Sequence, residues 1–397
     1  MRTTHRDVVT ALFLLVLATA VGYIPAPMYP AYQELFGFSD LTLTLIYAAY
    51  ASVSAPALLF FGPAADALGK RVVIQASILL TTASCLCFLL ANGPGMLLLG
   101  RALLGLAIAA ATSGGMALII ERTEPARLAW ASIACTIAFV GGTVSGSFIA
   151  GVVGEFIPFP RFTPYIAFIT LMAIGWWRSL SIDSPSVSAL REWRPVMPQI
   201  PRTIRTRFIV ASGASATAWF GVTLFVSLIP TLLARSAGVD SPFVTGCILA
   251  AMLACSMLTQ LLGLRLSARA MQLLGLPLLI LGLLGLALTA GASLSSTLVF
   301  AVASGLGQGL AYSGAGSSID QVTTSENRGA VTAAYYMSGY LATGLPPIIV
   351  GVLTTWVPLG QALAWISWAG VVLGASTLVG LLAAGKQRAK SEFELNA

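Results

Sequence analysis

Long apolar runs, each bounded by a charge, a proline or a glycine, follow one another along the whole chain. A helix needs about 20 apolar residues to cross the hydrocarbon core of a bilayer. Twelve runs approach or exceed that length, near 8–29, 41–61, 72–91, 96–119, 128–153, 164–180, 208–234, 243–263, 272–290, 296–316, 331–356 and 359–382. The pattern predicts an all-α membrane protein with twelve transmembrane helices. The first run has no small-residue cleavage site before the second begins, so it is expected to be retained. The longest polar stretch, 178–207, carries Pro185, Pro195, Pro198 and Pro201 among its arginines and divides the runs six and six. The expected organisation is an N-terminal six-helix bundle over 1–180, a cytoplasmic linker over 181–207, a C-terminal bundle over 208–385 and a cytoplasmic tail over 386–397.

An internal repeat supports that division. The loop after the second run reads Gly62-Pro63-Ala64-Ala65-Asp66-Ala67-Leu68-Gly69-Lys70-Arg71, and the loop after the eighth begins at Gly263 and runs through Arg265, Ser267, Arg269 and Ala270. Arg127 precedes the fifth run and Arg328 the eleventh; both pairs of loops are offset by 201 residues. An equal offset in separate loops suggests duplication of a six-helix unit. Six crossings is an even number, so both copies insert the same way. Their pseudo-twofold axis then runs along the membrane normal, with the substrate path between the halves.

Composition agrees with this solvent. Of 397 residues, 57% are hydrophobic and 9% charged, and the mean hydropathy is +0.89; a soluble domain carries about 25% charged residues. Most soluble enzymes are thereby excluded. The net charge of +7 does not require nucleic acid. With the N-terminus in the cytoplasm, eighteen of the 21 basic residues fall on the cytoplasmic side, leaving Arg101, Arg161 and Arg235. Such a bias sets orientation, and it places both termini in the cytoplasm. Cys85, Cys87, Cys135, Cys247 and Cys255 all lie in apolar runs without metal-site spacing, and read as small buried hydrophobes. No metal and no cofactor is expected. No Gly-x-x-x-x-Gly-Lys-[Ser/Thr] phosphate loop is present, which disfavours direct ATP driving.

The loop Gly62, Asp66, Gly69, Lys70 and Arg71 resembles the G-x-x-x-D-x-x-G-[RK]-[RK] motif of the major facilitator superfamily, in the position the family has it. With twelve runs, the linker and the repeat, the resemblance covers the whole chain and is to the bacterial drug and metabolite antiporter branches. It implies two pseudo-twofold-related six-helix bundles in the cell inner membrane, and a loop that latches the halves in one access state. In physical terms, glycine at 62 and 69 permits a tight reversal and close helix approach. Asp66 suits a helix N-terminus, and Lys70 and Arg71 are placed to pair with Glu121 or Glu124, or only to set topology. The second copy has Ser267 in place of Asp66 and Ala270 in place of Gly69.

Arg101, followed four residues later by Gly105, resembles the family's second motif. A cation within a span faces the protein interior or water, or snorkels to the interface; a transport role is preferred here. In the fifth run, Gly142, Gly146 and Gly151 resemble the antiporter motif G-x-x-x-G-P-x-x-G-G, with Ser147 replacing the proline and Ala150 one glycine. They also read as a close-packing stripe. The resemblance points toward proton-driven export.

None of the fourteen acids falls near the middle of a run. Glu34, Glu155 and Asp320, at span ends, are the candidate proton carriers. Lacking a buried carboxylate, the chain suits neutral, zwitterionic or anionic amphiphiles better than cations. Tyr23, Tyr50, Trp219, Gln308, Tyr312, Tyr336 and Tyr340 are polar or amphipathic at mid-span depth and form the candidate cavity; interfacial or packing aromatics are the alternative for each. Pro25, Pro27, Pro346 and Pro347 are expected to interrupt spans 1 and 11. The reading is a secondary transporter that works by alternating access, with proton-coupled efflux ahead of uptake or facilitated diffusion. Its expected partners are a small-molecule substrate, the lipid bilayer and protons, with no nucleic acid and a monomeric state. A membrane-bound enzyme lacks His, Asp or Glu clusters at membrane depth, and a sensor lacks room for a signalling domain after Gly385.

Overall fold

A computed structural model of the chain describes residues 2–182, 200–324 and 328–396, which form helices joined by short connections. Pro185, Arg191, Arg194, Pro195 and Pro198 of the linker, and Glu326, lie outside the described residues, as do the side chains of Arg328 and of the tail from Lys386 onward.

The first crossing is a broken helix. α1 (Arg2–Tyr23) stops ahead of Pro25 and Pro27, a 3-10 turn occupies Ala26–Met28, and α2 (Tyr29–Phe36) completes the crossing. Proline has no amide hydrogen, so the α-helical bond pattern fails there. Gly37 closes α2 at φ 63°, a conformation glycine adopts without a Cβ clash. This crossing ends seven residues beyond the expected Tyr29. Glu34 is expected at a span end, but its neighbour Gln33 is only 7% exposed. The expected interruption at Pro346 and Pro347 does not occur: both lie inside a continuous α13 (Arg328–Leu353).

The remaining crossings are α3 (Asp40–Ala67), α4 (Lys70–Leu89), α5 (Pro94–Ala110) with its continuation, α7 (Leu128–Phe156) and α8 (Thr163–Ser179). The continuation of α5 is a π-helical segment, Ala111–Met116, followed by α6 (Ala117–Glu121). In the second half they are α9 (Arg205–Ala237), α10 (Pro242–Leu262), α11 (Ala268–Thr289), α12 (Leu294–Asp320), α13 and α14 (Leu359–Asn396). Eleven of the crossings are long and apolar enough to span a membrane. The twelfth, α8, has 17 residues, about 26 Å at 1.5 Å per residue, close to the hydrocarbon thickness.

Helix pairing repeats between the halves. In the first, α1 packs on α7 and α8, α5 on α3 and α4, and α4 on α8; in the second, α9 packs on α13 and α14, α12 on α10 and α11, and α11 on α14. The halves meet through α3 against α13 and α7 against α10, two contacts that a pseudo-twofold axis exchanges. The result is two six-helix bundles side by side. α1 and α9 are the helices most enclosed by their neighbours, and α14 is the least enclosed. Twelve crossings return the chain to the face from which it started; that face is called the terminus end here, and the opposite one the far end.

Candidate functional site

The far end is where polar side chains join the halves. Asp40, first residue of α3, takes two bonds from the Arg235 guanidinium at the end of α9, both 2.8 Å. The Gln33 amide donates to the same carboxylate at 2.9 Å, and Thr231 donates to the Gln33 carbonyl at 3.2 Å. Acid, amide, hydroxyl and guanidinium thus close one network across the halves. On the α7–α10 side, Ser241 donates to Glu155 at 2.8 Å. Nearer mid-depth, Thr223 of α9 donates to the Tyr47 hydroxyl at 3.4 Å and to the Thr343 carbonyl at 3.1 Å. At the terminus end, by contrast, Lys70 pairs with Glu121, Arg122 with Asp7 at 3.8 Å, and Arg71 donates to the Ile182 carbonyl at 3.5 Å. All three contacts stay within the first half of the chain. Lys70–Glu121 realises one of the expected pairings; with Glu121 half exposed, it contributes at most about 1 kcal/mol.

Arg101 does not snorkel. It is 2% exposed, its Nε donates to the Tyr29 hydroxyl at 2.6 Å and its Nη1 to the Gly22 carbonyl at 2.7 Å. That carbonyl sits beside the break that ends α1, where a broken helix leaves carbonyls unpaired. The guanidinium carbon also lies 5.3 Å from the Tyr29 ring centroid and 5.5 Å from that of Tyr47, within cation–π range. The pseudo-twofold counterpart is uncharged. Gly105 approaches the Tyr50 carbonyl and Gly305 the Met252 carbonyl, and four residues before them stand Arg101 and Ala301.

The predicted cavity residues divide into two groups. Trp219 and Tyr312 meet edge to face at 5.5 Å, Tyr312 stacks on Tyr335 at 6.5 Å, and Tyr335 lies 5.7 Å from Tyr336. The Tyr50 and Tyr340 hydroxyls approach each other across the halves, with Tyr23 in electrostatic range of both. Seven aromatics are thereby brought into two neighbouring clusters. Gln308 is turned elsewhere: its amide oxygen accepts from Ser256 of α10, whose hydroxyl accepts from Gln260 at 3.0 Å.

The loop motif is only partly as expected. Gly69 has φ 89° and precedes α4, so glycine is required there. Gly62 lies inside α3, and a Cβ added to it would meet nothing within 4 Å; the expected reversal and close approach at Gly62 are absent. Asp66 is exposed near the end of α3 and makes no hydrogen bond or ion pair among the described residues. Ser267, its counterpart, caps α11 by accepting from the Ala270 amide at 3.2 Å. The glycines of α7 face two partners. A Cβ on Gly146 would strike the Ala20 backbone and one on Gly142 the Thr19 side chain and Val16 carbonyl, all on α1, whereas Gly151 abuts Pro242 and Gly246 of α10.

Of the candidate carriers, Glu155 takes the Ser241 bond, and Asp320 is exposed at the end of α12 within electrostatic range of Tyr335 and Tyr336. Glu34 lines a far-end pocket of about 350 Å³ with Gln33, Thr231, Arg235 and Asp240. None stands at mid-depth. The sequence reading missed Tyr29, Tyr47, Tyr335, Thr223, Gln33 and the Asp40–Arg235 pair. Tyr47 alone left a signal, three residues before Tyr50 and so on the same helical face.

Comparison with known proteins adds relatives and a fold. Over 171 residues the chain is 30% identical to "Inner membrane transport protein YnfM" of Escherichia coli (strain K12), covering 42% of this chain and 39% of that one. Over 152 residues it is 32% identical to "Purine ribonucleoside efflux pump NepI" of Salmonella typhimurium (strain LT2), covering 36% and 37%. These alignments span well under half of either relative. A bacterial homolog of the human lysosomal transporter Spinster, solved in an inward-facing and occupied conformation, superposes over 96% of both chains with a TM-score of 0.67 at 15% identity. The sequence model of the Major Facilitator Superfamily matches residues 11–347, and with the paired six-helix bundles above, the chain belongs to that superfamily of membrane transporters.

Proposed function

We propose that this protein exports a small amphiphile across the bacterial inner membrane by alternating access, in exchange for protons. Residues 1–180 and 208–385 are the two rocking bundles, 181–207 is the linker, and linker, tail and both termini are cytoplasmic. It works as a monomer without a resident cofactor. The observation that carries this reading is the union of halves joined at the far end by Asp40–Arg235 and nearer mid-depth by Tyr47–Thr223 with aromatics from both halves clustered at mid-depth. A cleft between two halves, lined by amphipathic rings, is what a carrier presents to its cargo. The names of the two relatives, an inner membrane transport protein and an efflux pump for purine ribonucleosides, support the membrane, the direction and a flat polar cargo. The glycine face of α7 supports antiport by resemblance.

One observation favours a second reading, in which cargo moves without a proton: among the described residues, no carboxylate stands at mid-depth. Proteoliposomes separate the two. Under the leading reading, uptake into inside-out vesicles of flat aromatic amphiphiles, neutral and anionic, requires a proton gradient and stops when an uncoupler collapses it. Uptake that ignores the gradient selects the second. Asp66, exposed and unbonded in this conformation, is placed to latch the halves in the opposite one. Asp66→Asn is therefore expected to lower transport several-fold while leaving expression unchanged; undiminished transport would remove the latch.

A further inference from the structure

We propose that Arg101 is an anion subsite, and that the cargo of this transporter carries a single negative charge on an aromatic frame. The inference rests on the transport reading above and narrows its substrate class. Arginine is the cationic side chain that does not give up its proton in proteins, and Arg101 is sealed from water at 2% exposure. Each neighbour that contacts its guanidinium is neutral: the Tyr29 hydroxyl and ring, the Gly22 carbonyl and the Tyr47 ring. A buried cation is normally paired with a carboxylate, because an uncompensated charge in low dielectric is expensive. Among the described residues, no acid supplies that pair.

The unpaired edge of the guanidinium has a defined geometry. Nη2 is buried and has no hydrogen-bond partner among the described residues, while Nη1 is occupied by the Gly22 carbonyl and Nε by the Tyr29 hydroxyl. Nε and Nη2 share the edge of the guanidinium that a carboxylate or phosphate grips with two oxygens. Half of that edge is open. Because the Tyr29 oxygen accepts from Nε, its own O–H remains a donor. One oxygen of an acid thus meets Nη2 and the other the Tyr29 hydroxyl. Tyr23 and Tyr50, both within electrostatic range of Arg101, offer flat surfaces for an attached ring.

Access is controlled by the interface between the halves. Tyr47 roofs the guanidinium and is held by Thr223 of the opposite bundle. When the halves rearrange against each other, that bond is lost, and Tyr47 is free to uncover the edge. Occupancy of the subsite and separation of the halves then share one side chain, which is how a ligand shifts an equilibrium between two states.

The test compares two probes of equal shape and unequal charge, 2-naphthoate and 2-naphthamide, by ligand-induced thermal shift and calorimetry on the purified protein. No gradient is imposed, so failure here leaves the transport reading to its own vesicle assay. The wild type is expected to bind the acid at least about tenfold more tightly than the amide, the ratio that about 1.4 kcal/mol of charge-assisted bonding supplies. Arg101→Lys keeps most of that preference, Tyr29→Phe weakens the acid several-fold and spares the amide, and Arg101→Gln binds both alike. The ligand-free melting temperature of Arg101→Gln serves as the folding control, and Tyr29→Phe tests the same edge if that variant melts early. Equal affinities in the wild type, acid preference surviving in Arg101→Gln, or no binding of either probe overturns the proposal.

Discussion

Reversing one charge of the far-end clasp, Arg235→Asp, will shift the protein toward a conformation open at that end, and the exchanged pair Asp40→Arg/Arg235→Asp will restore the closed one. Asp40 is 16% exposed at its side chain and Arg235 49%, so the pair is neither buried nor fully solvated. Removing one partner of a fully buried pair costs about 3–5 kcal/mol, and an exposed pair contributes about 0–1 kcal/mol. Between these limits, about 1–2 kcal/mol corresponds to a factor of about 5–30 in a two-state ratio. Reversal also sets the introduced carboxylate against Asp40 and against the other acids of the same pocket, Glu34 and Asp240. Gln33 tolerates the exchange because an amide both donates and accepts. Spin labels at positions 35 and 236, exposed on the two sides of the clasp, read the distance in a background lacking the native cysteines. A distribution unchanged by Arg235→Asp, or one that the exchange leaves open, would show that other contacts hold the seal.

Gly146→Leu will abolish the folded protein or lower its melting temperature sharply, whereas Gly141→Leu will be tolerated. A Cβ at Gly146 would lie 2.8 Å from the Ala20 Cα and closer still to its carbonyl oxygen. Overpacking a core against flexible side chains costs about 1–3 kcal/mol; here the obstacle is backbone, and α1 itself must move. That displacement also drags Gly22 from Arg101. Small residues at such crossings allow helix backbones to approach where lipid gives no hydrophobic driving force. The nearest atom to a Cβ at Gly141 is the Met257 sulfur at 4.0 Å, ordinary contact with an adaptable side chain. Size-exclusion profiles after a temperature series distinguish the two variants. A normal profile for Gly146→Leu would mean that α1 and α7 are less tightly joined than their geometry indicates.

Legibility differed by element. Span positions were readable because the bilayer imposes a length on every crossing, and hydropathy measures that length directly. The loop at Gly69 was readable because its backbone conformation demands glycine. Gly62 carries the same letter in the motif but sits in open helix, so the letter alone did not carry the physics. Pro346 and Pro347 did not break α13, because neighbouring helices can compensate for missing bonds inside a bundle. Pro25 and Pro27 did break α1, and the Gly22 carbonyl beside the break became a ligand for Arg101.

Chain order and composition by themselves determined the solvent, the number of crossings, the duplication and the absence of acids at depth, since each is a property of local stretches or of counts. Tertiary structure alone decided that Arg101 is buried rather than snorkelled, that Gln33 belongs to an interface rather than an aqueous loop, and which face each α7 glycine presents. It also joined Tyr47 to Thr223 and Asp40 to Arg235, pairs separated by 176 and 195 residues. Pairing over such separations follows from how two bundles dock, and docking depends on surfaces assembled from six helices at once, which no periodicity along one helix records.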